Sequence, residues 1–158
     1  MFGKNKEDVI MIHVKEPVLS YRIVKVDADT RKVSKPEDVL QYIRNLFTLG
    51  VEHFVVLYLD SKNRIRNTKL LEEGTVNQAN PIVREVFRYG ILVDAASIIV
   101  AHNHPSGDPE PSSEDRDFTR TLIKGGDVLG LKVLDHVIVG TEETGNEKHY
   151  SFADHNNL

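Results

Sequence analysis

Between residues 102 and 115 the chain reads HNHPSGDPEPSSED. His102 and His104 close the apolar run SIIVAH (97–102), and in a strand two imidazoles at i and i+2 point to the same side. The loop that follows holds Pro105, Pro109 and Pro111 together with Gly107, so its unfolded ensemble is already restricted and little entropy is lost in fixing it. It leads into Ser112-Ser113-Glu114-Asp115, which places Asp115 in the first turn of a helix, able to face back toward the histidines. Two neutral imidazoles and one carboxylate make a three-ligand set for Zn²⁺, with the fourth position left open for water as in catalytic zinc sites. Each part has a plainer reading: Ser-x-x-Asp is a helix N-cap pattern, and a His-x-His pair is often a matter of packing. Joined by a stiff loop at a strand end, the parts point to a metal, and a cap that fixes the first turn is compatible with presenting Asp115.

The chain as a whole narrows the chemistry. Its 158 residues, 40% hydrophobic and 28% charged, suit one folded domain with a sizeable core. There are no cysteines, which removes disulfides, thiolate nucleophiles and cysteine-based zinc sites. Any metal site must use His, Asp, Glu and water. The net charge of −4 argues against a surface dedicated to phosphate backbones. No apolar run approaches a membrane span, and MFGKNKEDVIMIHV lacks the order of a secretory signal. The expected compartment is the cytoplasm, without membrane contact.

The elements that must position the site read as one α/β unit. VLSYRIVKV (18–26) alternates as a strand, and Ser34-Lys35-Pro36-Glu37 opens a helix with a Ser-x-x-Glu capping pattern and an early proline. Val39, Leu40, Ile43, Leu46 and Phe47 supply its apolar stripe, and Gly50 ends it. HFVVLYLD (53–60) reads as a strand covered on both faces, followed by a turn at SKN and a second strand near 64–72. Asn80-Pro81 starts a helix with Ile82, Val83, Val86 and Phe87 on its apolar face. After SIIVAH and the proline loop come a helix from 113 to 129, the strand KVLDHVIVG (132–140) and a last strand around 149–152. The result is a mixed sheet with helices on its faces. Residues 1–33 are expected to hold an N-terminal strand and a flexible start, 34–153 the site-bearing domain, and 154–158 a disordered tail.

With those residues in view, His102-x-His104, seven residues, Ser112, two residues, Asp115 matches the metal signature of the JAMM metalloproteases. EGTVNQANPIVREVFRYGILVDAASIIVAHNHPSGDPEPSSED, with LDHVIVG downstream, resembles the RadC branch of that superfamily over roughly residues 34–153. The resemblance implies a three-layer α/β/α, cytidine deaminase-like (JAB/MPN) fold with a mixed central sheet. It implies one zinc on His102, His104 and Asp115, with Ser112 helping to hold a tetrahedral intermediate. It also requires a catalytic glutamate just ahead of a core strand; Glu52 fits that place, with Glu72, Glu73 and Glu85 as alternatives. The implied reaction is attack of metal-activated water on a peptide or isopeptide carbonyl, with Glu52 as the general base. RadC proteins commonly carry a helix-hairpin-helix segment before this domain, and residues 1–33 contain nothing like it, which weakens the family's link to DNA repair for this chain. The cysteine motif of zinc deaminases is absent.

A second class of reading is a nucleic-acid-interacting module of RadC type, in contact with DNA or a repair protein, whose metal is structural or vestigial. It rests on SKNRIRNTK (61–69), a stretch that holds Lys62, Arg64, Arg66 and Lys69 and no acidic residue. A solvated hairpin edge explains the same stretch. A zinc-dependent nuclease is a third, weaker option. His136 reads as a packed or supporting residue rather than a ligand, and His53 as structural or exposed. Asn103 and Ser106 line the loop, and Gly74-Thr75 resembles a family turn. Exposed strand edges permit a homodimer.

Overall fold

A computed structural model of the chain describes residues 21–24, 31–46, 52–71, 79–141 and 147–158. Its strands, β1 (Tyr21–Val24), β2 (Phe54–Leu59), β3 (Ile65–Leu71), β4 (Ser97–His104), β5 (Lys132–Thr141) and β6 (Glu147–Ser151), form one sheet in the order β1-β3-β2-β4-β5-β6. Among them only β4 and β5 run parallel. Helix α1 (Pro36–Ile43) covers one face, and α2 (Ala79–Leu92) and α3 (Ser113–Leu129) cover the other. This is the three-layer α/β/α arrangement with a mixed sheet.

Strand β2 is buried at every position, because its alternate residues serve two cores. Phe54, Val56 and Tyr58 join Ile98 and Val100 under Val86, Phe87, Phe118 and Leu122 of the helices. Val55, Leu57 and Leu59 join Ile99, Ala101 and Val137 against Val39 and Ile43. Each such side chain contributes about 1.5–3 kcal/mol by leaving water. The end of α1 is tied to β6 by Arg44, which donates from Nε and Nη2 to the two carboxylate oxygens of Glu147 at 3.1 and 2.9 Å.

Where the elements start and stop differs from the sequence reading in three places. Helix α1 is capped from Lys35, and Asp38, not Glu37, accepts from the Ser34 and Lys35 amides. Pro36 occupies the first helical position, so the third, which closes a capping box, falls on Asp38. Strand β4 runs two residues past His102, through His104. The segment 154–158, expected to be a disordered tail, is folded back: the Asn157 amide donates to the Phe152 carbonyl, and the His155 ring stacks on Tyr150 at 4.1 Å. An aromatic platform holds it. Gly50, Glu72, Glu73, Gly74-Thr75 and most of residues 1–33 lie outside the described residues.

Helix α3 passes close to its neighbours through Gly125 and Gly126. A Cβ would come within 2.6 Å of the Phe87 ring at the first and 2.5 Å of the Leu131 carbonyl oxygen at the second. Helix propensity alone favours alanine over glycine by about 1 kcal/mol, but overpacking costs about 1–3 kcal/mol. Gly126→Ala should therefore lower stability in urea unfolding, and Gly125→Ala should lower it less, because a ring can turn where a backbone carbonyl cannot.

Candidate metal centre

The site stands where β4 ends and α3 begins. The β2–β4 register pairs Phe54 with His102, so the side chains of His102 and His104 lie on the face covered by α2 and α3, and the start of α3 is set above them. Ser112 caps that helix: its Oγ accepts from the Asp115 amide at 3.1 Å, while Asp115 Oδ2 accepts from the Ser112 amide and hydroxyl at 2.8 and 2.7 Å. The cap and the presentation of Asp115 are thus one structure. Asp115 Oδ1 is turned toward His102.

His102 Nε2, His104 Nε2 and the Asp115 carboxylate converge. The two ring nitrogens are 3.0 Å apart, and they lie 3.2 and 3.3 Å from Asp115 Oδ1 and Oδ2. Which nitrogens carry protons follows from their other partners. His104 Nδ1 is 2.7 Å from the Asp108 carbonyl, an acceptor only, so Nδ1–H donates and Nε2 of the neutral ring presents a lone pair. Opposite His104, His102 is 4% exposed in its side chain and His104 18%. The neutral His104 ring thus turns a lone pair toward His102 and the Asp115 carboxylate in a half-buried space, and a proton or a metal ion can sit between them. Such a set could hold a metal ion, and two imidazoles with one carboxylate are the hard and borderline donors suited to Zn²⁺.

The electrostatics agree. Burial alone would push the Asp115 carboxyl up, but its contacts with His102 and His104 outweigh that and hold it far below the usual carboxylate range. The hydrogen bond with Asp115 raises His104 above its ordinary value against burial, with help from the Asp108 carbonyl and the charge of Glu52. A proton shared at His104 Nε2 is what a metal ion must replace.

Glu52 is partly buried and lies two residues before β2. The Asn103 amide donates to the His53 carbonyl at 3.3 Å and the His53 amide to Asn103 Oδ1 at 2.7 Å, which continues the β2–β4 register and sets Glu52 across from His104. Strand alternation then puts it on the same face as Phe54 and His102. Of the alternatives, Glu85 is engaged by Arg88 at 2.6 Å and by the buried Lys69 at 3.4 Å. The proline loop crosses β5 at Gly140, where a Cβ would meet the Gly107 carbonyl at 2.1 Å; Gly107 itself has φ +81°. Ser106 Oγ accepts from the Asp108 amide at 3.4 Å within this loop.

His136 and Thr119 complete the surroundings. His136 is wholly buried, stacks on Phe152 at 5.0 Å and lies with its Nε2 2.9 Å from His102 Nδ1. Burial holds its pKa well below the ordinary histidine value, so it is neutral. Its Nδ1 is 2.6 Å from Thr119 Oγ1. Thr119 drew no notice in the sequence, although its position one turn beyond Asp115 was a signal. His53 is buried. In the basic stretch, Arg64 is bound to Asp60, whose carboxyl it holds down at about 2, and Lys69 is 1% exposed. Lys62 and Arg66 remain at the surface. Among the described residues no helix is long and apolar enough to cross a membrane.

A family model described as RadC-like JAB domain matches residues 33–157. The chain is similar to a UPF0758 protein of Geotalea uraniireducens, 46% identical over 110 residues, which are 69% of this chain and 48% of that protein. A UPF0758 protein of Desulforamulus reducens is 42% identical over 124 residues, 77% of this chain and 55% of the relative. One of Methanosarcina acetivorans is 44% identical over 117 residues, 73% and 51% of the two chains. The chain spans about half the length of these curated relatives.

The raised pKa of His104 has a consequence for metal binding. At an ordinary histidine, proton competition fades above pH ~6.5; here it persists to higher pH, so Zn²⁺ affinity should keep rising by up to about tenfold per pH unit until His104 gives up its proton. Competition with a chromophoric chelator between pH 6 and 8 measures this. Metal-free protein should show the opposite trend. A folded-state pKa above the unfolded value stabilises below the unfolded pKa, and that stability is lost as pH rises through the folded one.

Proposed function

The chain belongs to the RadC-like JAB domain family, and from that premise we propose that it is a zinc-dependent hydrolase cleaving a peptide or isopeptide amide in the cytoplasm. The observation that carries this reading is the convergence of His102, His104 and Asp115 in an arrangement that could hold a metal ion. Three protein ligands leave room for a fourth, exchangeable one. Zn²⁺ held there supplies Lewis acidity and brings the pKa of water toward 7.

The remaining work falls to the chain. Glu52, on the same face as the histidines, accepts the proton of the attacking water and returns it to the leaving nitrogen as the C–N bond breaks. Its charge already reaches His104. Ser112 stands beside Asp115, and its hydroxyl proton is given to Asp115 Oδ2. Turning that proton toward the oxyanion gives up one hydrogen bond, about 1 kcal/mol net, while an oxyanion donor contributes about 3 kcal/mol to the transition state. Asp115 Oδ2 keeps the Ser112 amide throughout. The exchange favours the reaction.

Zinc loading followed by turnover of fluorogenic peptide and isopeptide amides tests the proposal. Glu52→Gln should retain one equivalent of zinc and lose about 10²–10⁴-fold in kcat. Asp115→Asn, which keeps an oxygen for the cap but not the charge, should lose zinc affinity while staying folded. Purified protein that takes up no zinc, or a Glu52→Gln variant as active as the parent, would refute the assignment.

A further inference from the structure

We propose that Thr119 and His136 form a hydrogen-bond relay that sets the tautomer of His102, so that its Nε2 is held as a lone pair aimed at the metal position. The inference rests on the metal reading above and goes beyond it, because it assigns two residues that are not ligands a measurable part in ligand chemistry. They are positioning residues.

The relay follows from counting hydrogens. Thr119 Oγ1 lies 2.7 Å from the Asp115 carbonyl oxygen, and a carbonyl cannot donate, so the single hydroxyl proton of Thr119 is committed there. At its other contact, 2.6 Å from His136 Nδ1, Thr119 can only accept. His136 therefore carries its proton on Nδ1. Its Nε2 is left as an acceptor, and the 2.9 Å contact with His102 Nδ1 is satisfied only if His102 donates from Nδ1. His102 Nε2 is then bare, facing Asp115 Oδ1 at 3.2 Å. Each step follows from the one before it, starting from the hydrogen bond that Thr119 gives to the Asp115 carbonyl.

The two histidine ligands are oriented differently. His104 gives its Nδ1–H to the Asp108 carbonyl, the usual way in which the second nitrogen of a ligating histidine is fixed. His102 gives its proton to another imidazole, which is amphoteric and could equally donate toward it. Without an external constraint, His136 could put its proton on Nε2, forcing His102 to protonate its own Nε2 and blocking the metal position. Thr119 removes that choice. It is buried (1% exposed) on the same helix as Asp115, so the relay begins on the backbone of one ligand and ends on the ring of another.

The test uses Thr119→Val, which keeps the shape and deletes the hydroxyl, and Thr119→Ser, which restores it. In the metal-free wild type, ¹⁵N resonances of the rings should show Nδ1–H on both His102 and His136. Thr119→Val should shift both rings toward Nε2–H and weaken Zn²⁺ binding about 10–100-fold, the range for losing such an orienting partner. Thr119→Ser should match the wild type in both readouts. The relay is wrong if wild-type His102 carries its proton on Nε2, if the valine variant weakens zinc with tautomers unchanged, or if its tautomers invert with zinc affinity intact. Should Thr119→Val fail to fold, the wild-type tautomers and the serine variant still decide. Wild-type protein with the expected tautomers that binds no zinc would refute the metal reading while upholding the relay.

Discussion

Too many hydrogen-bond acceptors meet at the end of β4. Two imidazole nitrogens and a carboxylate stand about 3 Å from one another in a half-buried space. Without a proton or a cation between them they would repel. Much of the local architecture exists to hold them there despite that: a capped helix that cannot release Asp115 without losing its own first turn, a loop stiffened by prolines, and a strand buried on both faces. The core supplies the resistance. Phe54 stacks beside His102 at 6.1 Å and meets Phe118 edge to face at 5.2 Å, so moving the histidine means moving the packing of the sheet against α3.

How much of this was legible depends on what kind of signal each element carried. Helix α3 runs from Ser113 to Leu129 as the sequence suggested, because both its ends are marked by chemistry: Ser112 and Asp115 at one, and Gly130 in the left-handed region (φ 69°) at the other. Strand β2 was legible from its unbroken apolar run. The cap of α1 was misplaced by one residue although the information was present, since a proline at the first helical position fixes the count. His102, His104 and Asp115 could be grouped because they are close in sequence. Glu52 depended on a long-range strand pairing, and only its place before a core strand hinted at it.

The orientation of His136 could not be read at all. Strict alternation along KVLDHVIVG would put His136 on the opposite face from Val133. The register shifts between Ile98 and Ile99, which pair with Val133 and Asp135, so one extra residue is absorbed and His136 arrives on the face of Val133, Val100 and His102. A bulge of this kind re-aims every side chain beyond it. Nothing local announces it. What holds the displaced segment is Asp135, whose carboxylate accepts from the His136 and Ala153 amides and the Ser151 hydroxyl.

That anchoring links the site to the far side of the sheet in time as well as space. Ribosomes release a chain from its N-terminus, so His102, His104 and Asp115 emerge well before Ser151, Phe152 and Ala153. Until those residues arrive, Asp135 lacks two of its partners, His136 lacks the stacked Phe152 ring though Phe54 and Phe118 already meet its edge, and the bulge that aims it toward His102 is less supported. A nascent chain therefore displays these three side chains before β6 can help to hold them in order. The docking of β6 is in this way the step that completes the setting of His136 beside His102, long after the histidines themselves have been made.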